Sequence, residues 1–461
     1  MSRIWAIARH TLAEGLRLKI AHVFLAFIAV VVVGLPVTLK GESAISDAVQ
    51  TYLSFSSRSL GVILSLLTIF LSRSLSDEFV NRQMLVLMTK PIQRWQYVVG
   101  KWLGMVTLNT ILLFMSGVGV YVGATILAGM KPRDEADAGK LKNELLTARH
   151  ATSFVPPDFS QLAAQAYQER LETGAYAEVA AIVPSEERTR IAKEFESQWR
   201  TVPVMETRLF EFTEVRCRRS PDKTLQIRYK AEVYHFAPDE ILRCEWIVGN
   251  PDKGTPVYYL PRRDVIQRYQ TMSVPTDAVA PDRTLTVALT NRNPFEGERQ
   301  EYNTVSFLSN DDVQVLFEVG SFAGNLVRQL ALTWCRLSFL AALAVLLACV
   351  FSFPVACLIG LTFLAMTSMA AFVTDALIFF DEDVGVPGLF QSVVQVLYKV
   401  VYFIIPDFSR YNGADLLVDG RNVTLRWVLE GVARLVLCGT TFLLLIACLL
   451  FQRREVAEVS V

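Results

Sequence analysis

Histidine and cysteine are scarce in this sequence of 461 residues, which contains four histidines and seven cysteines. No histidine belongs to a His-Glu-x-x-His pattern or lies at ligand spacing from a cysteine, so no zinc site is predicted. Seven cysteines are too few for a disulfide-stabilised scaffold, and most of them lie in apolar runs, where cysteine behaves as a small hydrophobic residue. We therefore expect no bound metal.

An excess of charge of either sign is also absent. Lys and Arg total 45 and Asp and Glu total 45, so no net charge attracts the chain to nucleic acid. The phosphate-binding motif Gly-x-x-x-x-Gly-Lys-[Ser/Thr] is missing, because Gly100-Lys101 is followed by Trp102. No paired carboxylates and no Ser/His/Asp group lie close enough in sequence to indicate catalysis. We expect neither an enzyme nor a cofactor held by this chain.

Long apolar runs are abundant instead. Hydrophobic residues make up 52% of the chain, and a membrane-crossing helix needs about 20 mostly apolar residues. The second run is the least apolar, because serines and Arg58 occupy its first half. The runs predict an α-helical polytopic protein with six transmembrane helices, at residues 20–39, 52–71, 103–127, 330–350, 355–379 and 428–451.

Basic residues near helix ends predict the orientation, because Lys and Arg concentrate on the cytoplasmic side. They cluster before the first run, between the second and third, and after the last. Both termini are therefore expected in the cytoplasm, in a bacterial inner membrane, with residues 130–325 and 380–427 outside. The chain's start has no small-residue cleavage site before its apolar run, so we expect that run to be retained.

The segment before the first run has the pattern of an amphipathic helix. Trp5, Ala8, Leu12 and Leu16 recur at helical spacing, with basic residues elsewhere. Such a helix is typical of one lying in the membrane interface. The alternative is that this segment simply begins a long first helix.

The insert at 130–325 changes its period along its length. Residues 135–200 indicate helices interrupted by prolines, whereas 205–320 alternate apolar and polar positions. We expect a large extracytoplasmic α+β domain whose second part resembles a β-sandwich. Cys217 and Cys244 lie in it, where an oxidising compartment permits a disulfide. Two unpaired, buried thiols are the alternative.

The loop at residues 73–102 combines a bend with positive charge. The carboxylate of Glu78 suits the positive end of a helix. Pro91 disfavours helical geometry just before it and is suited to begin the next helix. The loop is therefore predicted to form a helical elbow that could bind an acidic or polar groove. An ordinary basic loop is the alternative. Its basic residues are Arg82, Lys90 and Arg94.

The order of these residues resembles the permease subunits of the ABC exporter type-2 family. Glu78 is followed by Pro91-Ile92-x-Arg94 and then by Gly100-Lys101-x-x-Gly104, between the second and third of six spans. Two further matches flank the last span, Pro406-Asp407-Phe408-Ser409 before it and Phe451-Gln452-Arg453-Arg454-Glu455 after it. One departure is visible, since many members carry Gly-Thr where this chain has Arg82-Gln83.

In that family the loop is the coupling helix, which docks on a separate cytoplasmic ATPase subunit. The resemblance implies a permease of an ATP-driven exporter, paired with a second permease copy, with ATP and magnesium held by the ATPase. The outer domain would contact cargo or a periplasmic partner. The coupling residues that the resemblance implies are Glu78, Arg82, Lys90, Pro91, Arg94, Gly100 and Lys101.

Charged residues inside or near the spans are candidates for the pathway or gate. Arg58 and Asp375 are costly there unless paired or hydrated, and Arg336 stands in the same position. Snorkelling at the outer interface is the alternative explanation. Residues 389–406, ending at Pro406, are too short to cross and predict a re-entrant or interfacial outer helix that could form part of a gate.

The predicted organisation is therefore an interfacial helix, three spans, an outer domain and three further spans. A rival function from another class is a non-transporting membrane anchor that displays the β-domain for binding or assembly. The predicted domains are 1–19, 20–129, 130–325 and 326–461.

Overall fold

The computed structural model describes residues 2–38, 44–80, 92–173, 184–217, 219–220, 223–233, 241–293, 304–369 and 406–453. The chain forms two compact units. The helical unit comprises Met1–Ala148 and Gly320–Val461, and the strand-rich unit comprises Arg149–Val319.

Helices of membrane length dominate the helical unit. Five regions are long and apolar enough to cross a membrane, and they match the first four predicted spans and the sixth. Together they make the chain a multi-pass membrane protein. The fifth predicted span is described only over Phe353–Ser368, a shorter apolar helix. The rest of that span, including Asp375, and residues 389–405 lie outside the described residues. The five regions are Lys19–Thr38, Ile45–Glu78, Arg94–Ala128, Phe322–Val350 and Leu425–Arg453.

The helices of this unit are numbered in chain order. They are α1 (Ser2–Arg17), α2 (Lys19–Thr38), α3 (Ile45–Phe70), α4 (Ser72–Val80), α5 (Arg94–Ala128), α6 (Glu135–Lys140), α7 (Phe322–Val350), α8 (Phe353–Ser368), α9 (Ala414–Val418) and α10 (Leu425–Arg453).

The first helix is separate from the first span. The backbone of Leu18 is extended, with ψ of 125°, and this interrupts the helical conformation between α1 and α2. The alternative of one continuous first helix is therefore excluded. Ala8 and Thr11 are buried, whereas Trp5 is 58% exposed. The most buried positions of α1 are thus small residues. Of the large apolar side chains in the predicted stripe, Trp5 and Leu16 face outward, whereas Leu12 packs partly against the apolar core.

The second span begins at Ile45, earlier than the predicted start near Tyr52, because a distant carboxylate caps it. Asp137 accepts hydrogen bonds from the backbone N–H groups of Ile45 at 3.0 Å and Ser46 at 2.9 Å. These are donors that a helix start otherwise leaves unpaired. The helical unit extends to Ala148, past the predicted domain boundary at residue 130. The segment carrying Asp137 packs with the helical unit, and Leu141 joins its apolar core.

Asp137 supports a prediction about pH. Burial alone would raise its pKa, but hydrogen bonds from Ser46, Arg133 and Ile45 lower the pKa of this carboxyl from 3.8 to about 2. Its stabilising effect is therefore complete above pH 3.8 and lost as the pH falls through about 2. Asparagine keeps one acceptor oxygen but loses the second one and the negative charge. We therefore expect Asp137→Asn to destabilise the chain by about 1 kcal/mol at pH 7, measured by thermal unfolding in detergent.

The difference between Asp137→Asn and wild type should shrink between pH 4 and pH 2. Glu135→Gln, a change at an exposed position on the same short helix, should leave the melting temperature unchanged. Equal melting temperatures of Asp137→Asn and wild type at pH 7 would show that Asp137 does not stabilise the start of α3.

The strand-rich unit contains three sheets. Their strand orders are β1-β11-β4-β8, β3-β9-β6-β7 and β2-β10-β5, and the paired strands whose register is resolved run antiparallel. The β-rich prediction for this region is thus confirmed. However, β1 lies inside residues 135–200, which were predicted to be helical. The strands are β1 (Thr147–Ser153), β2 (Thr201–Val202), β3 (Thr207–Phe212), β4 (Thr224–Tyr229), β5 (Glu232–Val233), β6 (Ile241–Val248), β7 (Tyr258–Val265), β8 (Gln270–Pro275), β9 (Leu285–Asn291), β10 (Val305–Ser306) and β11 (Val313–Ser321).

Two helices, Phe159–Glu172 and Pro184–Arg200, complete this unit, and its core lies between strands of alternating burial. Every second residue of β6 is buried, so Cys244 and Trp246 point into the core. Burial raises the pKa of the Cys244 thiol to about 12. Cys217 is half-buried, and both cysteines are free thiols in the structure. The structure therefore corresponds to the unbridged alternative.

Candidate functional site

A buried ion pair joins the two helices on either side of the elbow. Lys101 on α5 donates to Oε1 of Glu78 on α4 over 2.5 Å, and their side chains are 2% and 4% exposed. The Tyr97 hydroxyl donates to the other oxygen of Glu78. Tyr97 and Lys101 are one helical turn apart, so both reach the same carboxylate. Each oxygen of Glu78 therefore has a partner.

The first helix adds a second carboxylate. Glu14 on α1 lies 3.2 Å from the Lys101 ammonium and is 29% exposed. His10, one turn earlier, is 3.9 Å from Glu14 and mostly exposed. We call Glu14, Glu78, Tyr97 and Lys101 the charged cluster. It connects α1, α4 and α5 through one cation.

A metal ion is the other cation that such a cluster could hold. Ligand atoms of His10, Glu14 and Glu78 lie within 4.8 Å of one another. However, the Lys101 ammonium contacts both carboxylates. It already supplies the positive charge that a metal would bring, so the described geometry favours a lysine-centred cluster.

Glycines bring α1 close enough to reach this lysine. A Cβ on Gly104 would lie 2.6 Å from Cβ of Thr11 and 2.7 Å from the carbonyl oxygen of Ala8. A Cβ on Gly100 would lie 2.8 Å from Cβ of Ile7. Two small residues four apart allow helix backbones to approach closely, as in the Gly-x-x-x-Gly pattern of membrane helices. Only glycine fits at these positions without displacing α1.

Arg94 links the start of α5 to the end of α10. Its Nη1 donates to the carbonyl oxygens of Phe451 at 2.9 Å and Gln452 at 2.7 Å. The guanidinium also lies over the Phe451 ring, 5.7 Å from the centroid. Cations favour the last carbonyls of a helix because these groups carry its negative end. Two stretches that resemble the exporter family therefore meet in space.

Three of the predicted coupling residues are buried, and three others lie outside the described residues. Glu78, Gly100 and Lys101 are buried, so the Glu78 and Lys101 side chains face the helix bundle rather than a docking surface. Arg82, Lys90 and Pro91 lie outside the described residues. On the described part of the elbow, Arg73 and Asp77 form an exposed ion pair at 3.3 Å, and Trp95 is 43% exposed. These three side chains are available to a partner.

Two of the predicted pathway or gate residues are described, and both have structural partners or neighbours. Arg58 pairs with Asp415 on α9 at 2.6 Å, with both side chains more than half exposed. Pro406 is half-buried and precedes Asp407, whose carboxylate accepts the backbone N–H of Ser409 at 2.9 Å. The neighbouring Phe408 is buried in the apolar core. This motif thus forms a capped turn.

Sequence reasoning missed Glu14, Tyr97 and Asp415. A signal for Glu14 was present, because it shares a helical face with the small residues Ala8, Thr11 and Gly15. A carboxylate on such a packing face needs a partner. Tyr97 could have been found by its spacing of four from Lys101. Nothing near Arg58 in sequence indicated Asp415.

Comparison with known proteins finds a family match for the N-terminal segment of the helical unit. Residues 5–148 match the model of the ABC-2 family transporter proteins. No curated protein and no solved structure matches the chain. The matched residues include the charged cluster and the glycines that seat α1, and they end where the strand-rich unit begins. The resemblance stated from the sequence is confirmed over these residues, which are similar to an ABC-2 type permease.

Proposed function

We propose that this chain is the membrane-spanning subunit of an ATP-driven exporter and that a separate cytoplasmic ATPase acts on it through the elbow at residues 73–102. ATP and magnesium bind to the ATPase in this proposal, and a second permease copy completes the pathway. The match to the ABC-2 family supports the permease role. The charged cluster is the observation that supports coupling.

The charged cluster ties together the two helices on either side of the elbow, so that they move as one. Glu78 ends the membrane-length segment before the elbow, and Lys101 lies in the first turns of the segment after it. Separating them would leave charged groups buried without partners, which is strongly unfavourable. A displacement of the elbow therefore moves the ends of α4 and α5 together, and Glu14 extends that motion to α1.

Arg94 links the last span to the same group of helices. Its two bonds to the end of α10 add a fourth helix to the group that moves with the elbow. Closure of two ATPase subunits around ATP would shift this group of helix ends and switch the spans between inward-open and outward-open states. In this proposal the strand-rich unit contacts cargo or a periplasmic partner.

Charge reversal in the elbow tests the docking. We expect the double variant Arg82→Glu and Lys90→Glu to reduce co-purification with an ABC-type ATPase encoded beside this chain by about tenfold or more, because complementary charge at an interface is replaced by repulsion. The ATPase rate of the complex in lipid nanodiscs should fall with it. Both are measured on the full-length chain.

Arg216→Glu is the matched control, since Arg216 is an exposed arginine of the strand-rich unit and should leave both measurements unchanged. If the double variant keeps its association and its ATPase rate, the elbow is not the docking surface. If the wild-type chain binds no such ATPase, the alternative of a membrane anchor that displays the strand-rich unit replaces the transporter proposal.

A further inference from the structure

Three arginines and one carboxylate lie at the start of the last span. Oε1 of Glu430, in the second turn of α10, is 2.9 Å from the guanidinium of Arg410 and 3.7 Å from that of Arg434. The Tyr411 hydroxyl donates to the same oxygen at 3.4 Å. Arg426 lies one turn before Glu430 and is exposed. We call Arg410, Arg426, Glu430 and Arg434 the arginine patch.

The net charge of the patch is positive, because it has three guanidinium groups and one carboxylate. Glu430 already contacts two of the arginines and a hydroxyl. Arg426 forms no hydrogen bond or ion pair with the described residues. The side chains of Arg410 and Arg434 are 47% and 60% exposed. The patch therefore offers guanidinium donors and excess positive charge at the protein surface.

The length of α10 places the patch among the lipid headgroups. With 29 residues, the helix is about 43 Å long, close to the thickness of a bilayer with its headgroup layers, about 40–45 Å. The apolar side chains of Leu429 and Leu437 are 59% and 64% exposed. Each lies three residues from an arginine of the patch, Arg426 or Arg434, and is its neighbour on the helix surface. The patch therefore borders an apolar surface that is open to lipid chains.

Arg434 lies deepest along the span among the arginines of the patch. It is two turns after Arg426, and its guanidinium reaches back toward the helix start to contact Glu430. Long basic side chains in membrane spans extend in this way, so that their charge reaches the headgroup layer. The guanidinium groups of Arg410 and Arg434 thus meet at Glu430, near the level of the lipid phosphates.

We propose that the arginine patch binds the phosphate of an anionic phospholipid from the surrounding bilayer. A guanidinium presents its donors in a planar fork that matches phosphate oxygens. Arg410 and Arg434 contact the same oxygen of Glu430, so their guanidinium groups are close enough to bind one headgroup together. The negative charge of the lipid compensates the excess positive charge, and its acyl chains lie along the exposed leucines. The site is separate from the elbow and goes beyond the proposed coupling to an ATPase.

Thermal unfolding of the delipidated, full-length chain in dodecylmaltoside tests the site with three probes. These are phosphatidylglycerol, phosphatidylcholine with the same acyl chains, and inorganic phosphate, all at equal concentrations. A ligand that binds the folded state raises the melting temperature. We expect a shift of several degrees with phosphatidylglycerol and a much smaller one with phosphatidylcholine, whose headgroup has no net charge. Inorganic phosphate should give no shift, because it lacks acyl chains to pack on the leucines.

Variants of the patch distinguish a lipid site from a structural ion pair. The double variant Arg410→Gln and Arg426→Gln should weaken phosphatidylglycerol binding by about tenfold or more, because two of three cations are lost. Glu430→Gln should strengthen it several-fold, because the carboxylate repels the phosphate. Arg58→Gln is the matched control, since Arg58 is also exposed in the helical unit but pairs one-to-one with Asp415. It should keep wild-type affinity.

The proposal is wrong if phosphatidylglycerol shifts the melting temperature no more than either other probe does, or if its binding survives in the double variant. Weaker binding in Glu430→Gln would also overturn it and would give the patch a structural role. Light scattering examines a second copy of this chain as the occupant. A dimer that dissociates in the double variant while lipid binding is unchanged would assign the patch to a subunit interface. Because no measurement uses an ATPase, failure here leaves the coupling proposal standing.

Discussion

Replacement of Lys101 by methionine is expected to destabilise the helical unit by about 3–5 kcal/mol, the range for removing one partner of a buried ion pair. Methionine keeps the length and apolar stem of the side chain but removes the ammonium. Glu78 would then be buried with only the Tyr97 hydroxyl, and Glu14 would lose the cation 3.2 Å away. The loss comes mainly from uncompensated charge and not from packing.

A double variant distinguishes charge from packing at this position. Adding Glu78→Gln to Lys101→Met removes the buried negative charge, so a large part of the lost stability should return. Thermal unfolding of the three proteins in detergent, with their yields after heating, gives the comparison.

Arg58→Met is the matched control in the same unit. Its pair with Asp415 is more than half exposed, so its loss should cost at most about 1 kcal/mol. If Lys101→Met is no more harmful than Arg58→Met, or if Glu78→Gln restores nothing, the cluster does not hold these helices together.

Gly104→Ala is expected to displace α1 from α5. The added Cβ would lie 2.7 Å from the backbone carbonyl of Ala8 and 2.6 Å from Cβ of Thr11. Neither neighbour is the far end of a flexible side chain, so α1 itself must move. Overpacking of this kind costs about 1–3 kcal/mol. Movement of α1 also draws Glu14 away from Lys101, so the variant should weaken coupling as well as stability.

Trypsin measures the displacement directly, because Arg9 and Arg17 are exposed basic residues on α1. Cleavage in α1 should be several-fold faster in Gly104→Ala than in wild type. Gly34→Ala is the control within a span, since its Cβ would meet only Val30, at 3.8 Å. Equal protection and equal melting temperatures in the two variants would show that α1 does not depend on this close approach.

Local pattern was sufficient for most of the fold. Apolar runs of membrane length predicted the spans that the structure describes, because a helix satisfies its own backbone hydrogen bonds and needs only apolar side chains to cross lipid. Period-two alternation likewise predicted a β-rich region at residues 205–320, which contains β6 and β9. The start of α3 was misplaced because its cap comes from Asp137, which lies 92 residues from Ile45 in the chain.

The elbow shows how far sequence reasoning reached for the site. The bend at Pro91 and the order of Glu78, Arg94 and Lys101 were sufficient to recognise the family, since these are local features. These local features were not sufficient to assign the roles of individual side chains. Glu78 and Lys101 were expected at a docking surface, and the structure buries them against each other. Their sequence separation gave no indication of this pairing.

By itself the sequence determined that this chain is a membrane protein, where its described spans lie and which family its elbow resembles, because each depends on neighbouring residues. Only the tertiary structure decided that Lys101 is shared by two carboxylates, that Arg94 caps the last span and that Arg336 has no carboxylate partner among the described residues. Those facts depend on which helix faces meet, and helix packing is determined by small residues such as Gly100 and Gly104 acting across the whole bundle.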